Sequence, residues 1–229
     1  VTALRALDLF CGGGGASMGL YRAGFEVTGV DIEPQPHYPF RFIRADALMP
    51  PLRIDDFDLI WASPPCQASS ILRQLPWLKD KAYPQLIPQT RELLMRSGRP
   101  YVIENVPGAP MAGFTLCGRN FGLPCFRHRV FETSFFAFSP PHAKHRETIG
   151  RGRVLNDRGK GSLNASSARG SWGKGGVITV AGHQFKKCDG QRALGIDWMT
   201  RAEMAQAIPP AYAEFIGLAA RRYLERAAA

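Results

Sequence analysis

A run of four glycines entered directly from an apolar segment, Leu7-Asp8-Leu9-Phe10-Cys11-Gly12-Gly13-Gly14-Gly15, constrains this chain more than any other feature. A β-strand that passes into glycines and then into a helical pattern brings backbone without Cβ atoms up to a ligand at a helix N-terminus. Dinucleotide enzymes do this with Gly-x-Gly-x-x-Gly. Here position 17 is Ser and position 18 is Met, so no register of that motif fits and a nicotinamide cofactor is disfavoured. A second apolar run, Val27–Val30, ends at Asp31, where a carboxylate can accept both ribose hydroxyls of a nucleoside cofactor. Asp46, after a third run, is a candidate for an adenine amino group. The plain alternative is a tight turn followed by two solvated acids.

Further apolar runs at Phe57–Trp61 and Tyr101–Ile103 alternate with helical patterns, notably Ala16–Ala23 and a stretch with Leu86, Thr90, Leu93 and Leu94 on one face. Such alternation predicts an α/β fold, a doubly wound and mostly parallel sheet with helices on both faces. In an open sheet of this kind the carboxyl ends of the strands face the ligand crevice. The strand at 57–61 runs into Ala62-Ser63-Pro64-Pro65-Cys66-Gln67, whose prolines stiffen the turn and fix where the sulfur points. A thiol just ahead of a helix and near a cationic site has a lowered pKa and reacts as thiolate, whereas an arbitrary cysteine is a small buried hydrophobe. Tyr101-Val102-Ile103-Glu104-Asn105-Val106 delivers a carboxyl to the same sheet edge. Arg127 and Arg129 alternate on a predicted strand and so are expected to project from one face, as ligand-holding groups or as solvated edge cations.

The 229 residues, 45% hydrophobic, suffice for one α/β domain with an insertion, and the formal charge of +10 favours a polyanionic partner. That charge is concentrated. From His142 to Arg192 there are eleven cations and three anions, and composition after Phe136 shifts to Gly, Ser, Arg, Lys and Asn, with few apolar residues to anchor a core. We therefore expect a cofactor-binding core over 1–136, a small basic irregular insertion over 137–191, mobile or ordered by its ligand, and helices over 192–229 that complete the core. Thr200 and Glu203 form a capping box, and Pro209-Pro210 opens a helix whose Tyr212, Phe215, Ile216, Ala219, Ala220, Tyr223 and Leu224 fall on one face. Five cysteines without a Cys-x-x-Cys pair suggest neither a disulfide framework nor a zinc knuckle. No metal is expected: His142 and His145 are read as part of the basic surface, and no four-ligand set has recognisable spacing. With no apolar stretch near the length of a membrane span and no leader pattern, a cytoplasmic location is the default.

Phe10-Cys11-Gly12-Gly13-Gly14, Pro64-Pro65-Cys66-Gln67, Glu104-Asn105-Val106 and Arg127-x-Arg129 resemble, in order and spacing, the motifs of the DNA (cytosine-5) methyltransferases, and Ala207-Ile208-Pro209-Pro210 resembles that family's last motif. The small size and the ending from Trp198-Met199-Thr200 look like the compact enzymes of bacteriophages. The resemblance implies the S-adenosylmethionine-dependent methyltransferase fold, with the cofactor contacted by Phe10, Gly12, Gly14, Asp31, Ile32, Asp46, Pro64 and Gln206. It implies Cys66 as the nucleophile, Glu104 as the acid at cytosine N3, Arg127 and Arg129 as holders of the base, and Gln67 and Asn105 as substrate contacts. Arg151, Arg153, Lys160 and Lys174 of the basic segment are expected to grip duplex DNA while the target base is flipped out. Methyltransferases acting on exocyclic amines carry an aromatic after Ser-Pro-Pro, where the ring stacks on the base, and Cys66 cannot stack. Three positions depart from the family pattern: Cys125 stands where Gln is usual, Gln206 where Asn is usual and Ile32 where Trp is usual. Two alternatives remain open, a structured RNA such as tRNA as the substrate, and a non-catalytic DNA-binding member of the fold. A monomer is the default.

Overall fold

The computed structural model describes residues 3–65, 85–142, 144–145, 154–155, 161–162, 177–182 and 185–228. Among these, seven strands form one sheet in the order β3-β2-β1-β4-β5-β7-β6. The apolar runs read from sequence become β1 (Arg5–Leu9), β2 (Glu26–Asp31), β4 (Leu59–Ala62) and β5 (Tyr101–Asn105). They pair in parallel with each other and with β3 (Arg41–Arg44). The central strands are buried on both faces, which is why they read as near-continuous apolar runs. β3 lies at an edge and carries arginines at both its ends, a pattern that discourages further strand pairing. On the other side β7 (Arg129–Thr133) inserts antiparallel between β5 and β6 (Phe114–Leu116).

Alternation along the strands divides the core in two. Ala6, Leu59, Trp61, Val102 and Phe131 pack with α1 (Gly15–Arg22) and α5 (Pro210–Ala227), whereas Leu7, Leu9, Ile60, Ala62 and Ile103 pack with Leu94 of α2 (Ile87–Ser97). α2 has Pro88 in its first turn and Gly98 in the left-handed conformation just beyond its end, both where helix termini favour them. α1 and α5 approach closely because their contact is built from small residues. A Cβ on Gly19 would sit 2.2 Å from the Pro210 carbonyl oxygen, and one on Gly217 would sit 2.8 Å from Ala23 Cβ. The buried face of α5 is accordingly rotated from the one expected: Ala213 and Gly217 are inside with Tyr212, Ile216 and Ala220, and Tyr223 is 44% exposed.

The capping box forms as read, with the Thr200 hydroxyl accepting from Glu203 N and the Glu203 carboxylate accepting from Thr200 N, and it starts α4 (Arg201–Gln206). Ordered packing resumes earlier than composition suggested. Ile178, Val180 and Phe185 are buried with Cys125, Met199, Met204 and residues of α3 (Lys187–Leu194) in a third apolar cluster. Within the basic segment, Val154–Leu155 (β8) pairs antiparallel with Gly161–Ser162 (β9). No helix among the described residues is long and apolar enough to cross a membrane.

Candidate functional site

The glycine loop leaves the carboxyl end of β1 through two consecutive turns. Phe10 adopts φ 59° and Gly12 φ 48°, and Gly14, at φ 82°, caps α1. Asp31, at the end of β2, accepts from Gly12 N at 2.9 Å through Oδ2 and from Glu33 N at 3.0 Å through Oδ1. The carboxylate therefore braces the loop and still has lone pairs for further donors. Ile32 beside it is 62% exposed, a large apolar side chain presented to solvent at the crevice. Asp46 is exposed and caps its own turn through Leu48 N. From the far end of the chain, Trp198 Nε1 donates to the Gly13 carbonyl at 2.8 Å, a tie to the loop that sequence reading did not assign. Beneath the loop, Asp8 is buried with Ser17 donating to its Oδ2, and Ser17 is itself 2.7 Å from the Tyr38 hydroxyl. Burial pushes the Asp8 carboxyl up to about 7.

At the carboxyl ends of β4 and β5, Glu104 is buried and paired with Arg129, whose Nε lies 3.0 Å from Glu104 Oε1. Burial raises the Glu104 pKa, while Arg129, a hydrogen bond from Ser63 and the more distant Arg127 hold it back. Ser63 was not singled out from sequence, although it stands three residues before Cys66. Its hydroxyl also accepts from Trp61 Nε1 at 3.0 Å. Pro64 is buried, and its carbonyl accepts from Asn105 Nδ2 at 2.9 Å, so the chain leading to Cys66 is tied to the residue after Glu104. Asn105, expected to contact substrate, instead spends its side chain locally, since its Oδ1 accepts from Val106 N at 3.0 Å and the residue is buried. Cys66, Gln67, Arg151, Arg153, Lys160 and Lys174 lie outside the described residues.

Arg127 corrects the expectation of a face shared with Arg129. β7 begins only at Arg129, and Arg127 precedes it in a bend at φ 32°. Its guanidinium turns toward the end of α4, donating to the carbonyls of Ala207 at 2.7 Å, Val180 at 2.7 Å, Ala205 at 2.9 Å and Met204 at 3.4 Å. The last carbonyls of a helix lack partners within it and carry partial negative charge, so a forked cation satisfies several at once. Enclosure drives the Arg127 pKa down to about 9. Gln206, between two of these carbonyls, is exposed. Cys125 packs in the third apolar cluster, with its thiol 3.4 Å from the Ala193 carbonyl.

The histidines also depart from expectation. His142 and His145 do not simply extend the basic surface: with Cys117 and His128 they bring one ligand atom each to within 4.8 Å of one another. Wide sequence spacing had hidden this convergence.

A family model of C-5 cytosine-specific DNA methylases matches residues 4–110. The type II methyltransferase M.AgeI of Thalassovita gelatinovora is 26% identical over a match that covers 68% of this chain and 46% of that enzyme, so the chain spans about half the length of this curated relative. A protein assigned as a DNA modification methyltransferase and encoded within an E. coli prophage shares the fold at TM-score 0.63 and 18% identity, over 98% of this chain and 100% of that one. S. pombe Dnmt2 methyltransferase does so at TM-score 0.60 and 15% identity, over 97% and 99%. At these identities the structures establish the architecture alone, a doubly wound and mostly parallel sheet shared with these two methyltransferases. The matched residues 4–110 carry the glycine loop, Pro64-Pro65-Cys66-Gln67 and Glu104-Asn105-Val106, so that in these motifs the chain is similar to the C-5 cytosine-specific DNA methylases.

Proposed function

We propose that this chain methylates C5 of cytosine in duplex DNA, using S-adenosylmethionine and a transient covalent bond from Cys66 to C6 of a flipped-out base. The observation that carries this reading is Glu104: a buried carboxyl with a raised pKa, hydrogen-bonded by Ser63 of the turn that leads into Cys66. A carboxyl whose burial favours its protonated form is suited to give a proton to a ring nitrogen.

The family and fold imply S-adenosylmethionine, and the residues present fit it. Asp31 keeps acceptor capacity for ribose hydroxyls, exposed Ile32 offers an apolar face to adenine, and a Cβ on Gly12 would meet nothing within 4 Å, leaving room at the loop. Phe10, Gly14, Asp46, Pro64 and Gln206 complete the proposed cofactor contacts. When bound, the cofactor supplies an electrophilic methyl group. The Cys66 thiolate shares its electron pair with C6, and the displaced ring electrons are accommodated as N3 takes the Glu104 proton. Arg129 keeps the Glu104 carboxyl in place through their 3.0 Å ion pair, and in this reading it shares in holding the base. Once C5 has accepted methyl, loss of the C5 proton to solvent restores the C5–C6 double bond, expels the thiolate and returns the N3 proton to Glu104. The segment 137–191 reads the target, with Arg151, Arg153, Lys160 and Lys174 on phosphates, while 1–136 and 192–229 form the catalytic core.

Labelled methyl transfer to duplex DNA and to tRNA tests both chemistry and substrate. Transfer to duplex DNA that is lost in Cys66→Ser, with a covalent complex on DNA containing 5-fluorocytosine, supports the proposal. Transfer to tRNA alone moves the substrate to RNA. Undiminished transfer by Cys66→Ser, or salt-sensitive duplex binding without any transfer, overturns the mechanism.

A further inference from the structure

We propose that Cys117, His128, His142 and His145 form a closed four-coordinate zinc site that anchors the entry of the basic segment to the catalytic sheet. The four residues come from three places in the fold. Cys117 follows β6 directly, His128 directly precedes β7, and His142 and His145 stand where the chain leaves the sheet for the basic segment.

All four ligand atoms lie within 4.8 Å of one another, and three of their six separations are those of ligands around a common centre. His128 Nε2 lies 3.3 Å from His142 Nε2 and 3.2 Å from His145 Nε2, and Cys117 Sγ lies 3.7 Å from His145 Nε2. A tetrahedral zinc ion with nitrogen at about 2.0–2.1 Å and sulfur at about 2.3 Å has N···N edges of about 3.3 Å and S···N edges of about 3.6 Å. Ordinary N–H hydrogen bonds centre nearer 2.9–3.0 Å. The ring separations match the edges of a coordination polyhedron better than a chain of hydrogen bonds. Three imidazoles and a thiolate are also a donor set suited to zinc, and four protein ligands leave no position open for substrate water, which makes the site structural.

The surroundings hold the ligands in place. The Cys117 side chain accepts from Asn120 N–H, an interaction that steadies a thiolate, and the Asn120 side chain accepts from Cys117 N at 2.9 Å. Asn120 Nδ2 in turn donates to the Pro141 carbonyl at 3.2 Å, fixing the residue before His142. Phe126 stacks on the His145 ring, with centroids 3.6 Å apart. Cys117 is buried, and His142 is exposed, so the cluster closes from the solvent side.

The full chain, purified without added chelator or histidine tag and reconstituted with zinc, is expected to retain about one equivalent of zinc by elemental analysis after extensive dialysis. With cobalt in place of zinc it should show intense tetrahedral ligand-field bands and a thiolate-to-cobalt charge-transfer band, and Cys117→Ser should lose the charge-transfer band. His142→Ala, at an exposed position that leaves the fold intact, should reduce retained zinc at least tenfold. A folded wild-type chain that retains no zinc, or His142→Ala and Cys117→Ser variants that retain it undiminished, overturns the site.

Discussion

Arg129 Nε lies 3.0 Å from Glu104 Oε1, and the two side chains are only 16% and 6% exposed, so an ion pair sits on the carboxyl proposed as the acid at the base. β7 runs antiparallel beside β5, with Phe131 as the register partner of Glu104, and this pairing carries Arg129 to the strand end where the carboxyl projects. Arg129 both fixes that carboxyl and opposes the rise in pKa that burial imposes on it.

Replacing Glu104 by Gln keeps the shape and removes the proton. Methyl transfer should fall by about 100-fold or more. Unfolding by urea should show a loss of roughly 3 kcal/mol, because a largely enclosed Arg129 is left without its counter-charge.

Arg129→Met should move the alkaline limb of the rate profile to higher pH. In the proposed mechanism Glu104 acts in its protonated form, so activity should decline as it ionises, and removing the neighbouring cation should raise the pH at which that happens. A pH profile of single-turnover methyl transfer reads the displacement. An unmoved limb would assign it to another group.

Asp8 makes stability depend on pH in a defined direction. Its carboxyl is raised from the usual carboxylate range to about 7 in the folded chain, so its contribution is fully present below about pH 4 and is lost as pH rises toward and through 7. Relative to Asp8→Asn, the native chain should lose up to about 4 kcal/mol between pH 4 and pH 8, as read by denaturant melts across that range.

Arg127→Met should cost roughly 3 kcal/mol, since it strands the carbonyls of Val180, Ala205 and Ala207 that the guanidinium now satisfies. Lys at this position should recover only part of the loss, having a point charge in place of a planar fork. Thermal unfolding of both variants gives the comparison.

Gly19→Ala should destabilise by about 3 kcal/mol, because the added methyl meets the backbone of Pro210 and Glu214. Gly98→Ala, whose methyl enters open space, should cost only about 1 kcal/mol for its left-handed conformation. The ranking of their melting temperatures tests the helix contact itself.

The strands around the crevice were legible because strands buried on both faces must be apolar throughout, and the α4 start because a capping box is local chemistry. Legibility failed where small residues or backbone bends decide the outcome. Gly217 and Ala213 carry little hydrophobic signal, yet they set the rotation of α5. Arg127 reads as a strand arginine until a positive φ turns it toward α4. Cys117, His128, His142 and His145 are separated by ten, thirteen and two residues, and only the antiparallel return of β7 beside β6 brings them together.

The bend at 124–128 receives both margins of the basic segment. His145 stacks on Phe126 on one side, and on the other Ile178 N donates to the Pro124 carbonyl while Arg127 grips Val180. A stretch whose two roots are moored at one spot closes its loop at a cost that grows only slowly with length. If this stretch reads the target, as proposed, then lengthening, trimming or exchanging everything between the moorings, as a cassette, should re-tailor DNA preference and leave the chemistry next door untouched.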